Sequence, residues 1–342
     1  MHYKLLGKSG LRVSELCLGT MTFGEDWGWG APHMESEKIF KIFQDKGGNF
    51  VDSSINYTNG TSEKFLGDFI HEDRDRFVVA TKYSLTRNKT DPNAGGNHRK
   101  NMLRSLEESL KHLRTDYIDL FYLHMWDYTT PIEEVMRSLD DIVSSGNVRY
   151  IGISDTPAWV VSRANAIAEV RGWTSFISLQ IPYNLVSRDP ERELLPMARG
   201  TGLGVCAWAP LAVGLLTGKY TRKAKEQGSK GRLNRPDWGI SEKRKIVAER
   251  VDKIAESIGH PVSQVALNWL RQQEGVVIPI IGATKPEQMA ENLGCLDFKL
   301  TQDQVKMLDD ASKPDLGFPV DFLNDSEIRE LIFGNTFGLI DR

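Results

Sequence analysis

Tyr117-Ile118-Asp119-Leu120-Phe121-Tyr122-Leu123-His124 reads as a short strand that ends on a polar residue, and the same cadence recurs along the chain. Asp52 follows Asn49-Phe50-Val51, Lys82 follows Phe77 to Thr81, Ser154 follows Val148 to Ile153, and Gln180 follows Phe176 to Leu179. Short runs rich in Val, Ile, Phe and Tyr are strand-like. Longer helix-like stretches lie between them: Glu35 to Lys46, Ser62 to His71, His98 to Leu113, Ile132 to Ser145, Trp159 to Val170 and Arg192 to Arg199. Strands that alternate with helices form a parallel sheet. Glu15 to Leu18 supplies a first strand, Val205 to Pro210 a seventh and Val276 to Gly282 an eighth, with helical material from Ser241 to Gln273 before the last. Eight such strands close a (β/α)8 TIM barrel, and polar groups at successive strand ends gather on one rim of it.

A chain of 342 residues has room for two average domains, but a barrel of this kind uses about 250 residues or more as one unit. The expected organisation is one domain over residues 1–342, with a β-hairpin at 4–14, the barrel at 15–300 and a C-terminal helix and tail at 301–342. Lys4 to Leu6 and Arg12 to Ser14 flank the turn-rich Gly-Lys-Ser-Gly, which suits a hairpin laid over one barrel end. A doubly wound sheet is the alternative for alternating strands and helices, yet no Gly-x-Gly-x-x-Gly follows any strand. Tyr220 to Gly239, crowded with Lys, Arg and Gly, reads as a long mobile loop, and Asp315 to Arg342 carries enough Phe, Leu and Ile to pack back on the body.

The apolar fraction of 40%, charged fraction of 26% and net charge of -3 describe an ordinary globular chain. Nothing in that balance points to nucleic acid or an anionic membrane. Cys17, Cys206 and Cys295 lie singly in apolar stretches, which argues against a disulfide framework or a zinc site and for buried, reduced thiols. Without a leader-like start or a run of about 18 apolar residues, a cytoplasmic location is the default expectation.

Asp52, Tyr57, Lys82 and His124 form the chemical constellation. A phenol is a poor acid near neutrality, and a neighbouring ammonium favours its ionised form; Lys82 can supply that cation, and Asp52 can keep Lys82 protonated. His124 can donate a hydrogen bond to a carbonyl oxygen or relay a proton. Together the four make a general acid for an oxygen that is gaining negative charge. Taken singly each has a duller reading: Asp52 as a helix cap, Tyr57 as a loop aromatic, Lys82 as a solvated strand end, His124 as a satisfied core histidine. Their coincidence at neighbouring strand ends favours the chemical one.

The run Asn49-Phe50-Val51-Asp52-Ser53-Ser54-Ile55-Asn56-Tyr57, then Ser62-Glu63, Ala80-Thr81-Lys82 and Leu123-His124, resembles the aldo-keto reductases. The likeness continues in order through Gly152-Ile153-Ser154, Leu179-Gln180, Trp208-Ala209-Pro210-Leu211 and Gly282-Ala283-Thr284. Within that family the chain looks nearest to bacterial aryl-alcohol-dehydrogenase-like members and to the related β subunits of potassium channels. The resemblance implies a reductase that uses NADPH without a Rossmann domain, with Tyr57 as proton donor, Lys82 and Asp52 as its tuning pair and His124 orienting a small-molecule carbonyl substrate. It also implies a cofactor set. Ser154 and Gln180 would hold the nicotinamide carboxamide and Trp208 would stack on the ring. Pro210, Leu211, Gly214, Leu216 and Lys219 would wrap the pyrophosphate. Gly282, Thr284, Lys285, Gln288, Glu291 and Asn292 would take the adenosine end, and Thr20 and Met21 would line the same pocket.

Three positions depart from the family pattern. Asp155 stands where many members have Asn, and it offers no amide donor. Gln288 stands where many have Arg, the side chain best matched to a 2′-phosphate. The similar channel β subunits carry Gln there too, with Thr284 and Lys285 as phosphate partners, so the resemblance still favours NADPH with NADH as the alternative. Thr58 stands where glycine more often follows the tyrosine.

The expected substrate wall is aromatic, with Trp27, Tyr83 and Trp126 as its leading members. Two other functions stay open: an NADPH-binding redox sensor or accessory subunit, and a metal-dependent barrel enzyme. Seven scattered histidines without a His-x-x-x-His pair argue against the second, so no metal is expected. The substrate and the oligomeric state are not readable from the residues.

Overall fold

The computed structural model of the chain describes residues 1–220 and 241–340. Apart from Tyr220, the expected loop from Tyr220 to Gly239 lies outside the described residues. Strands β1 (Tyr3–Leu5) and β2 (Arg12–Ser14) pair antiparallel. Eight further strands, β3 (Cys17–Gly19), β4 (Phe50–Asp52), β5 (Val78–Tyr83), β6 (Ile118–Leu123), β7 (Val148–Ser154), β8 (Ser178–Pro182), β9 (Gly204–Trp208) and β10 (Val277–Ile281), run parallel in chain order and close when β10 pairs with β3. This is a (β/α)8 TIM barrel, as the alternating pattern required.

Helices α1 (His33–Asp45), α2 (Thr61–Ile70), α3 (Arg99–Leu113), α4 (Ile132–Ser144), α5 (Ala158–Arg171) and α6 (Leu194–Thr201) each follow a strand. The material before β10 divides into α7 (Glu242–Ile258) and α8 (Val262–Arg271), and α9 (Pro286–Leu293) follows it. Helices α5 and α6 stop at Gly172 and Gly202, whose φ values of 68° and 72° are the left-handed cap that glycine holds without strain.

Strand periodicity sorts the core into two layers, because successive side chains face opposite sides of a sheet. Phe50, Val78, Ala80, Leu120, Tyr122, Cys206, Ile278 and Ile280 fill the barrel interior, whereas Leu18, Val51, Val79, Phe121, Leu123, Ile153, Leu179 and Val205 face the helices. Gly152 belongs to the inner set because a Cβ there would come within 2.3 Å of the Tyr122 ring. The hairpin closes the end where the strands begin: Leu6 and Val13 are buried in the interior cluster, and Lys4 Nζ donates to the Val277 carbonyl at 3.0 Å.

The C-terminal segment corrects an expectation. Helix α10 (Gln302–Ala311) is fastened to the body, with Trp269 Nε1 donating to Asp309 Oδ1 at 3.0 Å and Arg188 Nη1 to Ser312 Oγ at 2.8 Å. Beyond it, α11 (Val320–Asn324) and α12 (Ser326–Phe333) bury none of their residues, and Phe318, Leu331 and Leu339 are about four-fifths exposed. Among the described residues α11 and α12 therefore do not pack into the body, contrary to that expectation. Among the described residues no helix is long and apolar enough to cross a membrane.

Candidate active site

The two-residue period that fills the interior also carries the chemistry upward. On the column Val78-Ala80-Lys82 the third inward side chain is the lysine; on Leu120-Tyr122-His124 it is the histidine. Phe50 is succeeded by Asp52, Gly152 by Ser154, Ser178 by Gln180 and Cys206 by Trp208. The C-terminal strand ends thus crown an apolar interior with polar groups on one rim.

Lys82 has no exposed surface, and its three N–H donors are all used. Nζ reaches Asp52 Oδ2 at 2.6 Å, the Ser53 carbonyl at 2.6 Å and the Tyr57 hydroxyl at 3.2 Å. Burial disfavours the ammonium, but the Asp52 carboxylate and the Tyr57 oxygen outweigh it and raise the Lys82 pKa, so the group stays charged. The other Asp52 oxygen accepts from Gln180 Nε2 at 2.8 Å.

Tyr57 starts a short 3-10 turn, Tyr57–Gly60, in which Thr58, Asn59 and Gly60 take φ of 45°, 55° and 92°. A β-branched residue is strained there. Thr58 is held in place because its buried hydroxyl donates to the Phe23 carbonyl at 2.6 Å and accepts from the Ser62 amide at 3.0 Å. The glycine that the family more often carries is therefore replaced by a hydrogen-bonded left-handed threonine. The expectation that Lys82 would bring the phenol below its ordinary pKa is corrected: burial dominates and raises it, Asp52 adds to the rise, and Lys82 only limits it. At neutral pH Tyr57 holds its proton.

His124 is buried, with Nδ1 3.3 Å from Ser54 Oγ, its backbone N–H on the Tyr83 carbonyl at 3.0 Å and its ring 6.0 Å from that of Tyr57. Desolvation, then the Lys82 charge, depress its pKa well below the usual range, so the imidazole is neutral. Ser53 and Ser54 were not singled out from the sequence, although both lie in the run that carried the resemblance; one accepts from Lys82 and the other contacts His124.

Across the rim, the Ser154 hydroxyl is buried and has no hydrogen-bond partner of good geometry among the described residues. Asp155, at φ 40°, accepts the Trp208 indole N–H at 3.0 Å, and burial raises its pKa despite that bond. Trp208 is 37% exposed at the end of β9. After it, Pro210 is buried and Leu211 is half-buried. The chain then winds tightly through Ala212, Val213, Gly214 and Gly218, all at positive φ, and Lys219 folds against Gly214. Gly282 is exposed just past β10, beside the N-terminus of α9. Gln288 is exposed and caps that helix: its Oε1 accepts from the Thr284 amide and hydroxyl and from the Lys285 amide at 2.9, 3.2 and 3.2 Å. Glu291 accepts from Ser263 at 2.7 Å, and Asn292 is buried.

Three expected contacts do not reach the rim. Thr20 and Tyr83 occupy the outward-facing strand positions and are fully buried. The Thr20 hydroxyl meets the Asp52 carbonyl and Ser62 Oγ, while Tyr83 stacks on Phe121 at 5.3 Å and donates to the Asn97 carbonyl at 3.3 Å. Leu216 is likewise without exposed surface, packed in the outer core. Met21 is half-buried. Trp27 does stand by the phenol, 6.4 Å from the Tyr57 ring and 5.7 Å from Trp29, and Trp126 packs half-buried against the outer core. Among the described residues no group of three His, Cys, Asp or Glu is arranged to hold a metal ion.

Comparison with known proteins joins this geometry to a family. Residues 15–313 match the aldo/keto reductase family model. The chain belongs to the aldo/keto reductase family. It is 37% identical over 332 residues to norsolorinic acid reductase of Aspergillus flavus, covering 94% of this chain and 84% of that protein. It is 38% identical over 336 residues to the NADP(+) aryl-alcohol dehydrogenase of Phanerodontia chrysosporium, covering 93% and 87%. A putative aryl-alcohol dehydrogenase of Saccharomyces cerevisiae is 36% identical over 338 residues, covering 94% and 89%. As a member of this family the chain is an oxidoreductase. These relatives bear on the aryl-alcohol-dehydrogenase likeness alone, not on the bacterial or channel-subunit placement.

Proposed function

We propose that this reductase converts an aldehyde or ketone to an alcohol, reversibly, with Tyr57 giving the proton and NADPH as the reductant. The observation that carries the reading is the three-way contact of Lys82 with Asp52, Ser53 and Tyr57 at the floor of the rim. NADPH, when bound, supplies the hydride. The buried Ser154 hydroxyl, beside Asp155 but with no hydrogen bond of good geometry among the described residues, suits a carboxamide, and the half-exposed Trp208 suits a flat ring. The relative from Phanerodontia chrysosporium is named for NADP(+), in keeping with that choice.

The chain's own residues then do the following. A substrate carbonyl oxygen enters between the Tyr57 hydroxyl and the neutral His124 ring, which can donate to it without carrying charge. As negative charge grows on that oxygen, the Tyr57 O–H transfers its proton. The phenolate left behind sits against the Lys82 ammonium, which Asp52 keeps protonated, and Coulomb attraction in a water-poor site stabilises it. Trp27 and Trp29 wall the approach with apolar surface that limits water.

A panel of aromatic and aliphatic carbonyl compounds, followed by loss of reduced-nicotinamide absorbance with NADPH and NADH in parallel, tests the proposal. Turnover with NADPH ahead of NADH is the expected result. Tight NADPH retention with no turnover on any compound would instead favour a sensor or accessory subunit.

A further inference from the structure

We infer that Asp155 is a positioning residue for Trp208: its carboxylate reaches across the end of β8 and fixes the indole as a preformed wall of the nicotinamide site. This rests on the reductase reading given above. Asp155 follows β7 and Trp208 ends β9, so the two are separated in the sheet by a whole strand, and the 3.0 Å bond from the indole N–H spans it. The bridge is supported from below, since the Asp155 amide donates to the Gln180 carbonyl of β8 at 3.3 Å. Trp208 is also fixed through its backbone. It pairs with Pro182, and the next residue, Ala209, sits at φ 48° with its carbonyl accepting from Asn184 Nδ2 at 2.9 Å. Non-glycine residues at positive φ persist only where their surroundings over-determine them, and here two of them, Asp155 and Ala209, flank one contact.

A half-exposed indole has several rotamers open to it, and ordering one on binding costs affinity. A carboxylate acceptor selects the rotamer beforehand, and a bond to a charged acceptor is stronger than one to a neutral acceptor. An Asn at this position keeps an oxygen acceptor but also carries two N–H donors, so it can point either way. An Ala offers nothing.

The test compares full-length wild type, Asp155→Asn and Asp155→Ala. The indole N–H resonance of Trp208 is followed in the cofactor-free protein, with Trp208→Phe to assign it, and NADPH binding is measured by calorimetry. Asp155→Ala is expected to move the resonance and speed its solvent exchange, and to weaken NADPH binding roughly three- to tenfold. Asp155→Asn should restore most of both. An unmoved Trp208 resonance in Asp155→Ala overturns the inference, whether or not the melting temperature falls. Equal loss of binding in Asn and Ala with the resonance held in Asn also overturns it, because the charge and not the bond would then matter. If wild type binds no NADPH, the reductase reading fails while the resonance still decides the anchor.

Discussion

Lys82 Nζ lies 2.6 Å from Asp52 Oδ2 with neither side chain open to solvent, so the Lys82 ammonium is held in the interior by a buried carboxylate partner. Removing one partner of such a pair strands the other. Lys82→Met is expected to lower stability by about 3–5 kcal/mol, read as the shift of a urea midpoint at constant slope. The bond from Gln180 Nε2 to the other Asp52 oxygen is too little to offset the loss. Asp52→Asn combined with Lys82→Met should recover most of it, since no unpaired ion remains. A double variant as unstable as the single would contradict this account of the pair.

Tyr57→Phe separates chemistry from binding. The phenol ring packs beside Trp27 and His124, contacts that phenylalanine keeps. NADPH affinity should stay within about twofold while turnover falls about 10²- to 10⁴-fold, the usual worth of a positioned general acid. The raised pKa of Tyr57 sets the pH dependence. Reduction needs the protonated phenol, so it should show no loss from Tyr57 up to about pH 10 and decline only above it. Alcohol oxidation needs the phenolate and should rise with pH over the same range. A falling limb for reduction near neutrality, lost in Tyr57→Phe, would show that the phenol is acidified after all.

His124 carries the opposite shift. Its folded pKa lies well below 6.5, so below pH 6.5 the unfolded chain takes up a proton that the folded chain refuses. Stability contributed by the neutral ring is therefore present above pH 6.5 and is lost as pH falls toward the folded value. The His124 ring resonance should titrate only well below pH 6.5, and that signal should be absent in His124→Gln. The variant should also lose less stability than wild type on acidification.

The order of strands and the polar rim were legible because both are written locally: β-rich runs, helix-like spacers, and a polar side chain where each run stops. Facing was harder. Thr20 and Tyr83 lie one residue from inward positions, and a two-residue period turns that step into the opposite side of the sheet. The Asp155–Trp208 bond was not legible, because it joins residues 53 apart across an intervening strand. The sequence around Tyr57 and Lys82 shows a phenol near a cation, but only burial decides which effect prevails on the phenol's proton. In the tail, apolar residues such as Phe318, Phe322 and Leu331 report a preference for burial, but composition does not supply a surface to bury against.

The tail's exposure makes a direct prediction. Phe318, Leu331 and Leu339 stand largely in water, whereas among the described residues Arg188 to Ser312 and Trp269 to Asp309 fasten the C-terminal region to the barrel. A chain stopped after Pro314 keeps both links and removes α11 and α12, neither of which holds a buried residue, together with the half-buried Leu316 and Phe337. Its unfolding free energy should match that of the full chain within about 0.5 kcal/mol, as for changes at exposed positions. Stopping instead after Leu300 removes α10, leaves the Trp269 indole N–H without its Asp309 acceptor and uncovers the apolar surface against which Leu308 is buried, so the midpoint should drop clearly. A comparable drop on removing the tail alone would mean that Phe318 and its neighbours pack against the barrel in solution.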